Sequence, residues 1–196
     1  MHSFLDWISQ NYFEIIGALT GILYVILSSR QSIWLWPLGI ITSALQLIVF
    51  YYKRIYADMS LQGYYVLISI YGWYIWKNGK KKNERKRPVS NLSKSNWALF
   101  FFISTVCYFI IRYVLVTYTN SDVANIDAFT TALSITGTFL LTRKKIENWL
   151  IWIVVDSVSS GLYIYKNLYM FAVLYAFLTL MSFYGYSLWK KDMVKT

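Results

Sequence analysis

Histidine occurs once in this chain, at His2, and cysteine once, at Cys107. The first scarcity removes histidine-based catalysis and histidine-ligated zinc. The second rules out an intrachain disulfide and argues against a thiolate metal site, so no metal or cofactor is expected. Acids are also few: nine Asp and Glu against nineteen Lys and Arg, a formal net charge of +10. A basic balance can signal nucleic acid, but here the basic residues fall between apolar runs and not on one patch, so no nucleic-acid partner is expected. An intramembrane enzyme needs a nucleophile–base pair, a carboxylate dyad or a metal cluster. Only Asp156 lies in the middle of an apolar run, while Glu14, Asp58 and Asp127 lie near the ends of such runs. The sequence therefore does not read as an enzyme. The opening residues, MHSFLDWISQ, lack a basic n-region, and no A-x-A site follows the first apolar run. That run is expected to serve as its own insertion signal.

What the chain has in abundance is apolar and aromatic surface: 57% hydrophobic and 20% aromatic residues, with a mean hydropathy of +0.42. Seven apolar segments can be drawn, at 11–29, 33–52, 58–76, 97–118, 126–142, 148–165 and 168–189. Each has the length a membrane-spanning helix needs, about 17–22 residues. The expectation is an all-α integral membrane protein with seven transmembrane helices. The short connections at 53–58 and 166–169 force neighbouring helices to run antiparallel. With the N-terminus outside, the inner regions hold fifteen of the nineteen Lys and Arg, including Arg30, Arg143, Lys144, Lys190 and the cluster from Lys77 to Lys94. The positive-inside rule thus places the N-terminus outside and the C-terminus in the cytoplasm. The 78–95 loop, NGKKKNERKRPVSNLSKS, is either a contact for anionic lipid headgroups or a solvated linker that fixes topology.

A shift of 113 residues aligns the two halves without a gap. It sets Arg30 on Arg143, Trp36 on Trp149, Tyr52-Lys53 on Tyr165-Lys166, Ser69 on Ser182, Tyr71-Gly72 on Tyr184-Gly185 and Trp76-Lys77 on Trp189-Lys190. Two copies of a three-helix unit follow, with the fourth segment as the connector that keeps them in the same orientation. This 3+1+3 plan of parallel repeats, 1–76 and 119–196 joined by a basic loop and linker helix at 77–118, is that of SWEET-type transporters.

Within the second copy, Trp149, Trp152 and Asp156 stand at i, i+3 and i+7, on one helix face. Asp156 lies nine residues past Glu147, about 13 Å along a helix and near half of a ~30 Å hydrocarbon core. An ionisable group at that depth usually faces a polar cavity or pathway. Two indoles beside an anion suit a flat cationic ring. The plainer alternative is an interfacial Trp belt plus an Asp bonded to a neighbouring helix. In the first copy Trp36, Gly39, Ser43 and Gln46 share one face, with Ser43 the counterpart of Asp156. The two faces are expected to meet across the pseudo-symmetry axis. Gln62 and its counterpart Tyr175 either line the path or bond neighbouring helices. Arg112 either pairs with an acid or snorkels to a membrane face. Glu14 and Asp127 either draw cations to the entrance or cap helix starts. Tyr52, Tyr56, Tyr165 and Tyr169 read as interface anchors.

These residues resemble the PnuC family of bacterial vitamin transporters. The resemblance rests on Glu147-Asn148-Trp149-x-x-Trp152-x-x-Val155-Asp156, then Tyr163, Lys166, Leu168-Tyr169, Leu174-Tyr175 and Gly185-Tyr186 before Trp189. The first half adds Trp36-Pro37, Tyr52-x-x-x-Tyr56, Gln62 and Tyr71-Gly72-Trp73, so nearly the whole chain is covered. It implies a SWEET-like 3+1+3 fold, a homotrimer in the bacterial inner membrane, and facilitated diffusion of an unphosphorylated vitamin trapped by a cytoplasmic kinase. The implied vitamin is nicotinamide riboside, with sister branches assigned thiamine or riboflavin. Asp156 departs from the Asn that many nicotinamide riboside carriers place after the Val. Nicotinamide riboside and thiamine are both cations that an Asp favours, whereas riboflavin is neutral. In the first reading Trp149 and Trp152 wall the pyridinium, Asp156 supplies charge, and Gln46 and Ser43 bond amide or ribose groups. Phosphorylated forms are expected to be excluded, because no basic residue lies near the midplane. A thiamine carrier, a proton-coupled symporter using Asp156 and a non-transporting membrane scaffold are the other readings.

Overall fold

A computed structural model describes the backbone of residues 4–52, 56–78 and 88–195, and the side chains of 15–52, 59–78 and 88–194. The described residues form seven helices and no strand: α1 (Phe4–Ser29), α2 (Leu35–Tyr52), α3 (Tyr56–Asn78), α4 (Lys94–Tyr118), α5 (Ala124–Thr142), α6 (Glu147–Tyr165) and α7 (Tyr169–Lys195). All seven apolar segments are helical. α1 and α7 run past the apolar stretches that announce them, because their polar ends continue the same helix. Among the described residues, three helices, α2, α4 and α7, are long and apolar enough by themselves to cross a membrane. α5 and α6 fall short in hydropathy because Thr, Ser and Asp interrupt them, and these are helices with much buried polar surface.

Six helices close a ring. α1 packs on α2, α2 on α3, α3 on α5, α5 on α6, α6 on α7, and α7 back on α1. α4 packs on α5 from outside, where Ser104 Oγ donates to Thr136 Oγ1 at 3.1 Å. α1, α5 and α6 each end on a left-handed residue that is not glycine: Gln31 (φ 52°), Lys144 (φ 51°) and Asn167 (φ 59°). In each turn the next amide reaches back to close the helix, as Ser32 N donates to Leu27 O and Lys145 N to Leu140 O.

One end of the ring is sealed by a buried cluster of Leu35, Trp36, Leu141, Ile146, Trp149 and Trp189. Its geometry depends on two glycines. A Cβ at Gly72 would lie 2.5 Å from Trp36 Cη2, and a Cβ at Gly185 would lie 2.5 Å from Trp149 Cη2. Each indole therefore sits on bare backbone of the next helix. Trp76 then meets Trp36 edge-on at 5.3 Å, and Trp189 meets Trp149 edge-on at 5.6 Å. The second pair of indoles reaches to the next helix around the ring. Trp76 Nε1 donates to Thr142 O on α5, and Trp189 Nε1 donates to Ser28 O and Ser29 O on α1. Below them, Lys144 Nζ donates to Gln31 Oε1 at 2.8 Å and Gln31 Nε2 donates to Asp192 Oδ2 at 2.7 Å.

The stretch before α4 is clamped to the α5–α6 turn. Ser90 N donates to Lys144 O, Ile146 N to Ser90 O, and Lys145 Nζ to Ser90 Oγ and Asn91 O. Leu92 N donates to Glu147 Oε1 at 2.7 Å, and Glu147 is buried. Asp156 is thus not the sole buried acid, contrary to its prominence in the sequence. Arg112 pairs with the Asn125 amide oxygen at 2.7 Å and not with an acid. Asp127 accepts from Ser121 Oγ at the start of α5. Tyr52, Tyr165 and Tyr169 are exposed. Basic residues 80–87, Lys53 and Arg54, and the side chains of Glu14, Tyr56 and Asp58 lie outside the described residues.

The two Trp–Gly contacts yield a direct test. G185A and G72A each force a methyl into a fully buried indole and are expected to cost about 1–3 kcal/mol. G161A, where an added Cβ meets nothing within 4 Å, is expected to be neutral or stabilising by up to ~1 kcal/mol. Thermal unfolding of the three purified variants checks this; equal melting of G185A and G161A would remove the contact from its structural role.

Candidate functional site

Above the sealed end the ring encloses a cavity of about 280 Å³. All six ring helices line it, and α4 contributes nothing. Of the eight residues singled out in the sequence, six line the cavity: Trp149, Trp152 and Asp156 from α6, Ser43 and Gln46 from α2, and Tyr175 from α7. The helical spacing brings the α6 residues together because i, i+3 and i+7 share a face.

Asp156 is 4% exposed, and its Oδ2 accepts a hydrogen bond from Ser182 Oγ at 3.3 Å. It is the sole charged residue among those lining the cavity, which include no Lys, Arg or His. Trp152 stands one turn away from it, half-buried. Trp149 belongs to the floor: it is 2% exposed, held on Gly185, and its Nε1 is buried without a hydrogen-bond partner. Ser43 faces the cavity from α2, and Gln46, one turn on, stays exposed. Tyr175 leans on Tyr163 with ring centroids 5.1 Å apart.

Trp36 and Gln62 do not line the cavity. Trp36 is fully buried beneath it, because Gly72 lets its indole sink into the α2–α3 contact. Gln62 sits too early on α3; Tyr65 and Ser69, at i+3 and i+7 from it, are the α3 residues that line the cavity. Sequence reasoning also missed Tyr24 and Thr20 on α1, Thr42, Thr138 and Ser182. Ser182 was visible as the partner of Ser69 in the 113-residue register, but nothing in its own surroundings marks it. The threonines are hard to see because their hydroxyls bond their own helix: Thr20 to Ile16 O, Thr42 to Leu38 O and Thr138 to Ser134 O. Each hydroxyl oxygen keeps acceptor capacity toward the cavity.

Such a lining can hold a flat, positively charged molecule: one carboxylate, aromatic faces, and a belt of neutral hydroxyl and amide groups.

Residues 11–191 match the family described as nicotinamide mononucleotide transporter. The nicotinamide riboside transporter PnuC of Escherichia coli (strain K12) is 27% identical over 209 residues, covering 94% of this chain and 85% of that protein. PnuC of Haemophilus influenzae is 23% identical over 190 residues, covering 95% and 83%. The riboflavin/roseoflavin transporter RibM of Streptomyces davaonensis is 25% identical over 151 residues, covering 76% and 70%. A crystal structure of the vitamin B3 transporter PnuC superposes with a TM-score of 0.72 at 25% identity, covering 94% of this chain and 83% of that one. A match across nearly its whole length, from relatives to fold, makes this chain a member of the nicotinamide mononucleotide transporter family, to which PnuC belongs.

Proposed function

We propose that this protein takes up nicotinamide riboside across the bacterial inner membrane by facilitated diffusion, with the product trapped by phosphorylation inside. The observation that carries the reading is Asp156, the lone charge in the cavity lining, buried beside Trp152. A pyridinium ring offers both partners what they attract, a positive charge and a flat face. The relatives named as nicotinamide riboside transporters support the choice. Although the family description names the mononucleotide, a phosphate would find no basic side chain in the cavity lining and one carboxylate to repel it. Thiamine is the second reading, because Asp156 favours any flat cation.

All seven helices are proposed to cross the membrane, in two parallel three-helix units of the SWEET type joined by α4. Contacts 113 residues apart support this: Trp36–Gly72–Trp76 and Trp149–Gly185–Trp189 are built alike. The cross-links run α3 to α5 and α7 to α1, as a two-fold relation requires. Exposed apolar side chains on α4, among them Phe102, Phe109 and Ile110, suit contact with lipid or with the other subunits of a trimer.

Titration of the detergent-purified protein, followed by Trp fluorescence or heat, tests the substrate. Nicotinamide riboside is expected to bind, and the mononucleotide to bind at least about tenfold more weakly. Mononucleotide binding at parity would overturn the exclusion of phosphate, and binding of thiamine alone would move the protein to the second reading. D156A is expected to lose about tenfold to a hundredfold in affinity, the worth of a charge-assisted contact. Uptake that stops when the proton gradient is collapsed would replace facilitated diffusion by symport.

Orientation has its own test. In a variant with Cys107 replaced by Ser, a membrane-impermeant thiol reagent added outside intact cells is expected to label a cysteine at Asp122 and not one at Lys190. The opposite pattern would invert the topology.

A further inference from the structure

The 113-residue register pairs Tyr24 with Gly137 and Gly39 with Trp152. A large aromatic residue therefore sits on the first helix of one pair and on the second helix of the other. A Cβ at Gly39 would lie 2.9 Å from Ser69 Oγ and 3.3 Å from Tyr24 Cε2, so the Tyr24 ring and the Ser69 hydroxyl together cover the bare α2 backbone there. In the other half a Cβ at Gly137 would lie 4.0 Å from Trp152 Cε2 and 3.0 Å from Ile151 Cγ2. Each half thus sets one ring beside one glycine, with the helices exchanged. Tyr24 lies against Gly39, and Gly39 is the counterpart of Trp152, so the proposed two-fold relation sets the two rings at the same depth. Around the ring of helices, the α1–α2 pair lies opposite the α5–α6 pair. Tyr24 and Trp152 both line the cavity, and because the Tyr24 ring lies against Gly39 of α2, the helix opposite α6 in the ring, the geometry sets it on the side facing Trp152.

We propose that Tyr24 is a specificity-determining residue: it forms the wall facing Trp152, and a flat cationic ring is held between the phenol and the indole with Asp156 at its edge. This rests on the reading of the cavity as a site for a cationic vitamin. A slot with aromatic faces on both sides favours a planar charged ring over a puckered neutral one of the same size. Trp152 and Asp156 supply only one wall and one edge; Tyr24 completes the slot.

The experiment compares the full-length wild type with Y24F and Y24L, each titrated with nicotinamide riboside and with its reduced, uncharged dihydro form. Y24F, which keeps the aromatic face, is expected to bind the riboside within about threefold of wild type, and Y24L at least about tenfold more weakly. The preference for the cation over the dihydro form is expected to narrow in Y24L and to persist in Y24F, a change that a merely structural role would not produce. If Y24L does not fold, Y24M fills the same volume with a flexible side chain and is held to the same expectation. Wild type that binds the riboside while Y24L or Y24M binds it equally well, with unchanged preference, overturns the role of Tyr24. Wild type that binds neither the riboside nor thiamine overturns the reading of the cavity itself, and the slot with it.

Discussion

Two indoles resting on bare backbone hold the closed end of this protein together. Apolar burial drives little association between helices surrounded by lipid; close packing and hydrogen bonds do that work. The absent Cβ at Gly72 and Gly185 lets Trp36 and Trp149 come within van der Waals reach of the neighbouring helix. That approach places Trp76 and Trp189 so that their N–H groups find helix-terminal carbonyls on the next helix around the ring. Those carbonyls belong to the last turns of α5 and α1, where a helix runs out of amide donors of its own, although Ser28 O also accepts from Gln31 N in the closing turn. One contact type thus sets the spacing inside each half and the docking of the halves on each other.

The cavity above this floor carries the opposite balance. A carboxylate removed from water needs a partner, and Ser182 supplies one hydrogen bond to a group that can accept about four. The surrounding groups that line the cavity are hydroxyls, an amide and aromatic rings, all neutral. A cation entering the cavity therefore meets an attraction that water screens only weakly. The same field acts against anions, so on the proposed reading it also sets a nucleoside apart from its phosphate.

How much of this was legible in the sequence varies with the kind of contact. The seven helices follow from apolar length, and the grouping of Trp149, Trp152 and Asp156 follows from helical spacing, since both are properties of one helix. Trp36 shares a face with Ser43 in the sequence, but a face gives direction and not depth. Only the socket at Gly72 explains why its indole lies under the cavity. Gln62 was placed one turn away from the α3 positions that line the cavity, Tyr65 and Ser69. The burial of Glu147 was not legible, because its partner is an amide 55 residues away in the segment before α4. The left-handed Gln31 and Lys144 were equally hidden, as neither is the glycine or asparagine that usually marks such a helix end. Tyr24 had a signal: its exchange with a glycine across the register is readable once the paired positions are compared for size.

The proposed repeats are alike where they hold each other and, apart from Ser69 and Ser182 and the floor indoles, unlike where they face the cavity. Trp36 and Trp149, Gly72 and Gly185, Trp76 and Trp189 are the same residues, and they build the floor. Ser43 against Asp156, Gly39 against Trp152, Tyr24 against Gly137 and Tyr65 against Leu178 differ, and most of these side chains line the cavity. The division has a physical reason. A floor made of matched contacts lets both halves dock in the same way, which a two-fold arrangement requires. A ligand with a charged ring at one end and neutral hydroxyls at the other has no such symmetry, and a symmetric cavity would bind it equally well in two opposed poses. Placing the acid in one half and trading the aromatic between helices removes that degeneracy without disturbing the contacts below.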